Sequence, residues 1–333
     1  MHSTTTTPCR ICGNAPDNAR YRAREMLHGT RETFEYFECG SCGCVQIEEI
    51  PADLAAFYPD DYFSFRSLSE LDGNLVRRFI DPHRVRSGFG APDAIGRVAD
   101  AVSRPLDYID WLKEAGLGPD AAVLDIGCGQ GKTLLCMALG GLRPCHGVDP
   151  FIDATTRYRS GATVFKIGLS TFARESSDRY DLIMFQHSLE HFVDPREALG
   201  LAASLLTMNG RMLVVVPVAG SFAWETYRET WCNLDAPRHI HLLTRAAMEI
   251  LAKDAGLKVC SAISVGGFSQ FVGSERYKRD IPANDPRPDR ALFTAAELES
   301  FARRTEILNQ EGRGDQTRFI LAPRDWAPGA GPP

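Results

Sequence analysis

Four short stretches of this chain carry residues able to do chemistry. The first is Val123-Leu-Asp-Ile-Gly-Cys-Gly-Gln-Gly131, an apolar run that ends in Asp125 and breaks into three alternate glycines, Gly127, Gly129 and Gly131. Glycines let a backbone turn sharply and approach a ligand closely. Asp149 follows about twenty residues after the middle glycine, at the end of a second apolar run. Strand, glycine turn, helix, strand and acid form a unit for holding an adenosine, with the acid accepting hydrogen bonds from ribose hydroxyls. A dinucleotide site wants G-x-G-x-x-G and a pyrophosphate on the helix N-terminus. Here the spacing is G-x-G-x-G, and the carboxylate of Asp125 would repel a phosphate. Gly131-Lys132-Thr133 ends like a phosphate loop, but Ile126 occupies the position of that loop's first glycine. S-adenosylmethionine carries a sulfonium and an ammonium and no phosphate, and so it suits the acid.

The second stretch is Gln186-His187-Ser188-Leu189-Glu190-His191. Imidazoles titrate near neutrality and can take a proton from an attacking hydroxyl. His187 is the first candidate base, and His191 lies one helical turn further on, where both rings could share a face. The competing structural reading is the start of a helix, with Glu190 favourable near its N-terminus. The third stretch runs from Trp231 to Thr244. His239 and His241 alternate there, so one is expected to face a cleft and the other to pack. Asp235 could orient a histidine, and Arg238 could clamp an anionic group of a substrate. The alternative is that Thr244 caps the helix that follows and the histidines stack beside it.

The fourth stretch is a pair of knuckles, Cys9-Arg-Ile-Cys12 and Cys39-Gly-Ser-Cys42. Four thiolates so spaced can surround one tetrahedral zinc and leave no position for water, which marks a structural site. Cys44 competes with Cys42 for the last place. Met1 to Cys12 lacks an apolar signal core, so disulfides are disfavoured and a cytoplasmic setting is expected.

The runs Val123–Gly131, Gly147–Pro150, Tyr180–Pro195 and Asn209–Pro217, in order and at workable spacings, resemble the class I S-adenosylmethionine-dependent methyltransferases over roughly residues 105–265. The resemblance implies a Rossmann-like α/β fold, with a mostly parallel seven-stranded sheet whose last strand is antiparallel. It also implies that Gln186 touches the methionine part of the cofactor. An N-terminal zinc module and aromatic linker before such a core look like methyltransferases acting on deoxysugars and surface-polysaccharide sugars. The sugar C-methyltransferases of that group carry Tyr-His-Glu-His after the fifth strand. Aligning its last residue with His239 leaves Ala236, Pro237 and Arg238 at the others, which favours O-methylation of a sugar, a nucleotide sugar or a related small metabolite.

These residues need elements to hold them. Strands are expected at 122–126, 145–149, 162–166, 181–186 and 211–217, with helices between, which is the pattern of a parallel sheet covered on both faces. A sixth strand near 257–265 and a last one at Arg318–Leu321 follow, with a helix at Ala295–Gln310 between them. The chain divides into a zinc module at 1–50, an aromatic connector at 51–90, the cofactor-binding core at 91–265 and a C-terminal arm, helix and strand at 266–333. Tyr58, Tyr62 and Phe63 of the connector could form a lid. The near-uncharged run 198–224 is broken by Asn209-Gly210 and reads as buried helix then strand, with no membrane span. A net charge of −6, from 37 basic and 43 acidic residues, disfavours a broad nucleic-acid footprint. Acids and bases nearly balance in residues 1–45, which also disfavours an RNA base methyltransferase. An intact glycine turn weighs against a non-catalytic binding module. Nothing in the sequence sets an oligomeric state.

Overall fold

The computed structural model describes residues 4–58 and 67–326. Its strands in chain order are β1 Thr4–Thr5, β2 Asn18–Arg24, β3 Thr33–Glu38, β4 Val45–Ile47, β5 Val123–Ile126, β6 Cys145–Val148, β7 Thr156–Arg157, β8 Thr163–Phe165, β9 Tyr180–Gln186, β10 Leu206–Pro217, β11 His241–Leu242, β12 Leu257–Ser264 and β13 Gln316–Pro323. They form two sheets.

The larger sheet has the order β12-β13-β10-β9-β5-β6-β8-β7. Strands β10, β9, β5, β6 and β8 are parallel, and β13 runs antiparallel between β10 and β12. The central strands are continuous apolar runs because both of their faces are covered. Leu124, Ile183, Phe185 and Val214 pack on one side, and Val123, Leu182, Met184 and Leu213 on the other. The chain starts at β5, winds outward through β6 to β8, then returns to β9 and winds the other way. Strand order therefore reverses beside β5, and ligands of such sheets bind at the carboxyl ends of the strands at that point. The mostly parallel sheet with an antiparallel last strand is as expected. An eighth strand, the two-residue β7, extends it at one edge.

The smaller sheet is antiparallel, with the order β1-β2-β3-β4-β11. Strand β2 was not anticipated. Its sequence Asn-Ala-Arg-Tyr-Arg-Ala-Arg alternates, burying Tyr21 and Ala23 and leaving Arg22 and Arg24 outside. The fifth strand comes from residues two hundred positions downstream, so the sheet is completed by the core: His241 pairs with Gln46 and Leu242 with Val45. The connector holds helices at Ser69–Asp72 and Leu75–Gly88, and the second packs on the helices Ala94–Val102 and Lys132–Leu139. Tyr62 and Phe63 lie outside the described residues, as do residues 327–333 of the C-terminal arm. Among the described residues no helix is long and apolar enough to cross a membrane.

Candidate functional site

The turn after β5 begins the site. Gly127, Gly129 and Gly131 have φ of +71°, +54° and +76°, in the left-handed region that side chains disfavour. A Cβ on Gly127 would stand 2.6 Å from Cβ of Ser188, and one on Gly131 would stand 2.6 Å from a methyl of Val164. Gly131 opens the helix Lys132–Leu139. Asp149, at the end of β6, accepts hydrogen bonds from the backbone N–H of Gly129 at 2.9 Å and of Phe151 at 2.8 Å. It thereby ties the turn to the second strand. Asp125 is 3% exposed, and its Oδ1 has no hydrogen-bond partner among the described residues. Burial, with the nearby Asp149 carboxylate, pushes its pKa up to about 8. Burial also raises Asp149.

Asp125, Gly127 and Asp149 line a cavity of about 1050 Å³ that continues past Gln186, His187, Glu190, His191 and His239. Gly129 and Gly131 shape the turn without lining it. Lys132, Phe151 and Tyr58 stand on other parts of the wall.

The far end is built by the chain as it leaves β9. His187 takes φ +52°, strained for a non-glycine residue, and its N–H donates to Val215 O at 2.8 Å. Its side chain is half-exposed, with Nδ1 3.8 Å from Glu190 Oε1. Ser188 donates to Ile126 O at 2.6 Å, which fastens this loop to the glycine turn. A single 3-10 turn, Leu189–His191, follows. The shared helical face expected for His187 and His191 does not form, because the left-handed residue precedes the turn. Glu190 is fully buried, and neither of its carboxylate oxygens has a hydrogen bond among the described residues. Burial pushes it up to about 8.

His191 and His239 meet edge to face, with ring centres 4.7 Å apart. His191 Nδ1 lies 2.9 Å from both the Tyr58 hydroxyl and Arg238 O. His239 Nδ1 lies 2.7 Å from Asn233 O. Burial lowers the basicity of all three cavity histidines, and of His239 to about 3. His241 instead lies inside β11, fully buried away from the cavity. The alternation thus separates the two as anticipated, while Thr244 also caps the helix Arg245–Asp254 by accepting from Ala247 N.

Arg238 corrects an expectation. Its guanidinium is 0% exposed and bound to Asp235, Glu25 and Phe57 O, so it has no capacity left for a substrate anion. Asp235 is committed mainly to that arginine, with its Oδ2 3.8 Å from His239 Nε2. The sequence offers Glu190 either as part of this loop or as an acid favourable at a helix start, and neither reading reveals its burial beside His187 and His239. Glu25 carried no signal, since its partner lies 213 residues away.

The thiols of Cys9, Cys12, Cys39 and Cys42 lie within 4.8 Å of one another. Cys9 and Cys42 sulfurs are 3.6 Å apart and those of Cys12 and Cys39 are 3.5 Å apart. The backbone N–H of Ile11 and of Ser41 point at the sulfurs of Cys9 and Cys39, both at 3.4 Å, and Gln46 Nε2 donates to Cys9 at 3.1 Å. Donors aimed at clustered sulfurs suit thiolates around a tetrahedral ion. Cys44 stays outside this cluster, with its sulfur directed to Val45 O. The cysteine module also touches the histidines: the Tyr36 hydroxyl donates to His239 O at 2.9 Å.

Residues 101–262 match a family described as methyltransferase domain. The matched segment, just under half of the chain, holds the glycine turn and strands β5 to β11. The chain is 29% identical over 111 residues to the uncharacterized methyltransferase YcgJ of Bacillus subtilis strain 168. That match covers 31% of this chain and 44% of the relative, so the chain spans less than half the length of the curated relative it matches. The solved structure of YcgJ is 18% identical, with a TM-score of 0.38 and coverage of 65% of this chain and 94% of that one. Mycolic acid cyclopropane synthase CmaA1, complexed with SAH and CTAB, is 19% identical, with a TM-score of 0.41 and coverage of 65% and 83%.

Proposed function

We propose that this protein transfers the methyl group of S-adenosyl-L-methionine to a hydroxyl oxygen of a small polar acceptor, a sugar or nucleotide sugar being the favoured class. One observation carries the reading: a single cavity has two buried carboxylates, Asp125 and Asp149, at its glycine end and a cluster of imidazoles at the other. The acids suit a ligand bearing a sulfonium and an ammonium. In this reading Gly127, Gly129 and Gly131 let the adenosine lie against the backbone, Asp149 accepts from the ribose hydroxyls, and Gln186 borders the methionine part.

The cavity is large for one ligand of drug-like size, which leaves room for an acceptor beside the cofactor. Asn233, Asp235 and His239 make that end polar, as a hydroxyl-rich acceptor requires. The acceptor oxygen attacks the methyl carbon in line with the C–S bond. That bond breaks with its electron pair left on sulfur, and the hydroxyl proton passes to a base. His187 is the first choice because its ring is half-exposed and held uncharged by its surroundings. His191 and His239 are the other candidates. Zinc at Cys9, Cys12, Cys39 and Cys42 would act structurally, and reduced thiols accord with a cytoplasmic setting.

Calorimetry with the cofactor product S-adenosylhomocysteine tests the reading. Asp149→Ala should weaken binding on the order of ten- to a hundredfold, the size of a lost charge-assisted hydrogen bond pair. Unchanged affinity in a folded variant rejects the site. Screening nucleotide sugars with labelled cofactor should reveal a methyl mass gain. His187→Ala should then lower kcat while cofactor affinity stays within about twofold, and wild-type turnover would move the base to another histidine.

A further inference from the structure

We infer that Glu190, His191 and His239 form a second metal site, inside the cavity and separate from the cysteine cluster, that takes a divalent first-row transition-metal ion. One donor atom from each of the three residues lies within 4.8 Å of the others. Glu190 Oε1 is 3.9 Å from His239 Nε2, too far for a hydrogen bond. A bridging ion would span that gap, since bonds of about 2.1 Å set neighbouring donors roughly 3–3.5 Å apart. Closing the set from separations of up to 4.8 Å takes side-chain shifts of roughly 1–2 Å.

Two further observations point the same way. The first is Glu190 itself. It is fully buried, with both oxygens unpartnered among the described residues, and yet it borders the cavity. A carboxylate in that position is costly unless something cationic meets it. The second is the aim of the imidazoles. Each is held at Nδ1 by a backbone carbonyl, His191 by Arg238 and His239 by Asn233. A carbonyl accepts only from N–H, so both rings carry their proton on Nδ1 and keep a lone pair on Nε2. Metal-ligating histidines are oriented by this kind of outer hydrogen bond.

Two imidazoles and one carboxylate suit zinc, manganese, iron, cobalt or nickel better than magnesium or calcium, and they leave coordination positions open toward the cavity. The ion's role in turnover rests on the methyl-transfer reading; the site itself does not. Bound at an open position, the acceptor hydroxyl becomes more acidic. Its proton then goes to His187, its oxygen bonds the methyl carbon, and the C–S electron pair stays on sulfur. The ion keeps its oxidation state. His191 and His239 are then ligands, and His187 is the remaining base.

The test is cobalt(II) titration of full-length protein whose cysteine site has first been filled with one equivalent of zinc. The wild type should take up one further equivalent, with d–d absorption and without the sulfur charge-transfer bands of a thiolate site. Glu190→Gln, which keeps the shape of the buried side chain, and His191→Gln should each weaken that uptake at least tenfold. His187→Ala should retain it. S-adenosylhomocysteine binding and thermal unfolding serve as fold checks on every variant. Absence of a second equivalent in the wild type overturns the site, as does full uptake by Glu190→Gln. Cobalt uptake without S-adenosylhomocysteine binding would keep the ion site and reject the methyl-transfer reading; the converse result would reject the ion site alone.

Discussion

Asp125 sets the electrostatics of the glycine-turn end of the cavity. Held up to about 8 against an ordinary value of 3.8, it binds a proton in the folded chain over a pH range where the unfolded chain has lost it. The unliganded protein therefore loses stability as pH rises from about 4 to 8, by at most about 1.4 kcal/mol per unit from this residue. Asp149 shifts in the same direction. A cationic ligand reverses the effect by favouring the ionised acids. We expect the melting temperature of unliganded protein to fall between pH 6 and 8 and Asp125→Asn to flatten that fall. Affinity for S-adenosylmethionine should rise over the same window. Equal melting slopes in wild type and variant would show that Asp125 ionises freely. At this scale the sequence was legible where chemistry follows from a local pattern: Asp125, the glycines and the knuckle cysteines each announce themselves by spacing. Glu190 did not, because its meaning depends on His239, which a different loop brings to within 3.9 Å.

Among the elements, the helix Arg245–Asp254 shows how one residue joins two structures. Thr244 accepts from Ala247 N at 3.0 Å and donates to Cys42 O at 2.6 Å. It caps the helix and pins the second cysteine knuckle. Thr244→Ala should cost about 1–2 kcal/mol in urea unfolding, a cap plus one hydrogen bond. A loss within error would mean that water replaces both contacts. Helices and strands with strong periodicity could be read in advance, the helix Ala295–Gln310 among them with its capping box at Thr294 and Glu297. The helix Leu75–Gly88 could not, since Pro82 sits inside it and Leu75, Val76 and Phe79 face outward, which blurs the apolar stripe. The turn at Leu189–His191 was read too long. A helical pattern does not reveal that the residue before it will take a left-handed conformation.

For the whole molecule, the cysteine module is a wall of the site. Its hairpin sends Glu25 to Arg238, and both side chains are 0% exposed. Its Tyr36 holds the carbonyl of His239, and its strand β4 pairs with β11 two residues further on. Removing one partner of a buried ion pair strands the other charge, so Glu25→Ala should destabilise the fold by about 3–5 kcal/mol. Chemical denaturation reads this directly. A cost below about 1 kcal/mol would show that Asp235 alone satisfies the arginine. The cluster at Cys9, Cys12, Cys39 and Cys42 thus anchors a sheet whose last strand follows His239.

The sequence by itself determined the class of fold, the glycine turn, the acid at Asp149 and the cysteine set. These are local patterns, in which apolar runs, turn residues and short spacings carry their own physical meaning. Only the tertiary structure decided that Arg238 is spent inside the protein, that His241 packs while His239 enters the cavity, and that Glu190 is buried within 4 Å of both His187 and His239. Those outcomes depend on contacts between residues tens to hundreds of positions apart, formed when strand order reverses beside β5 and the N-terminal sheet closes on the core.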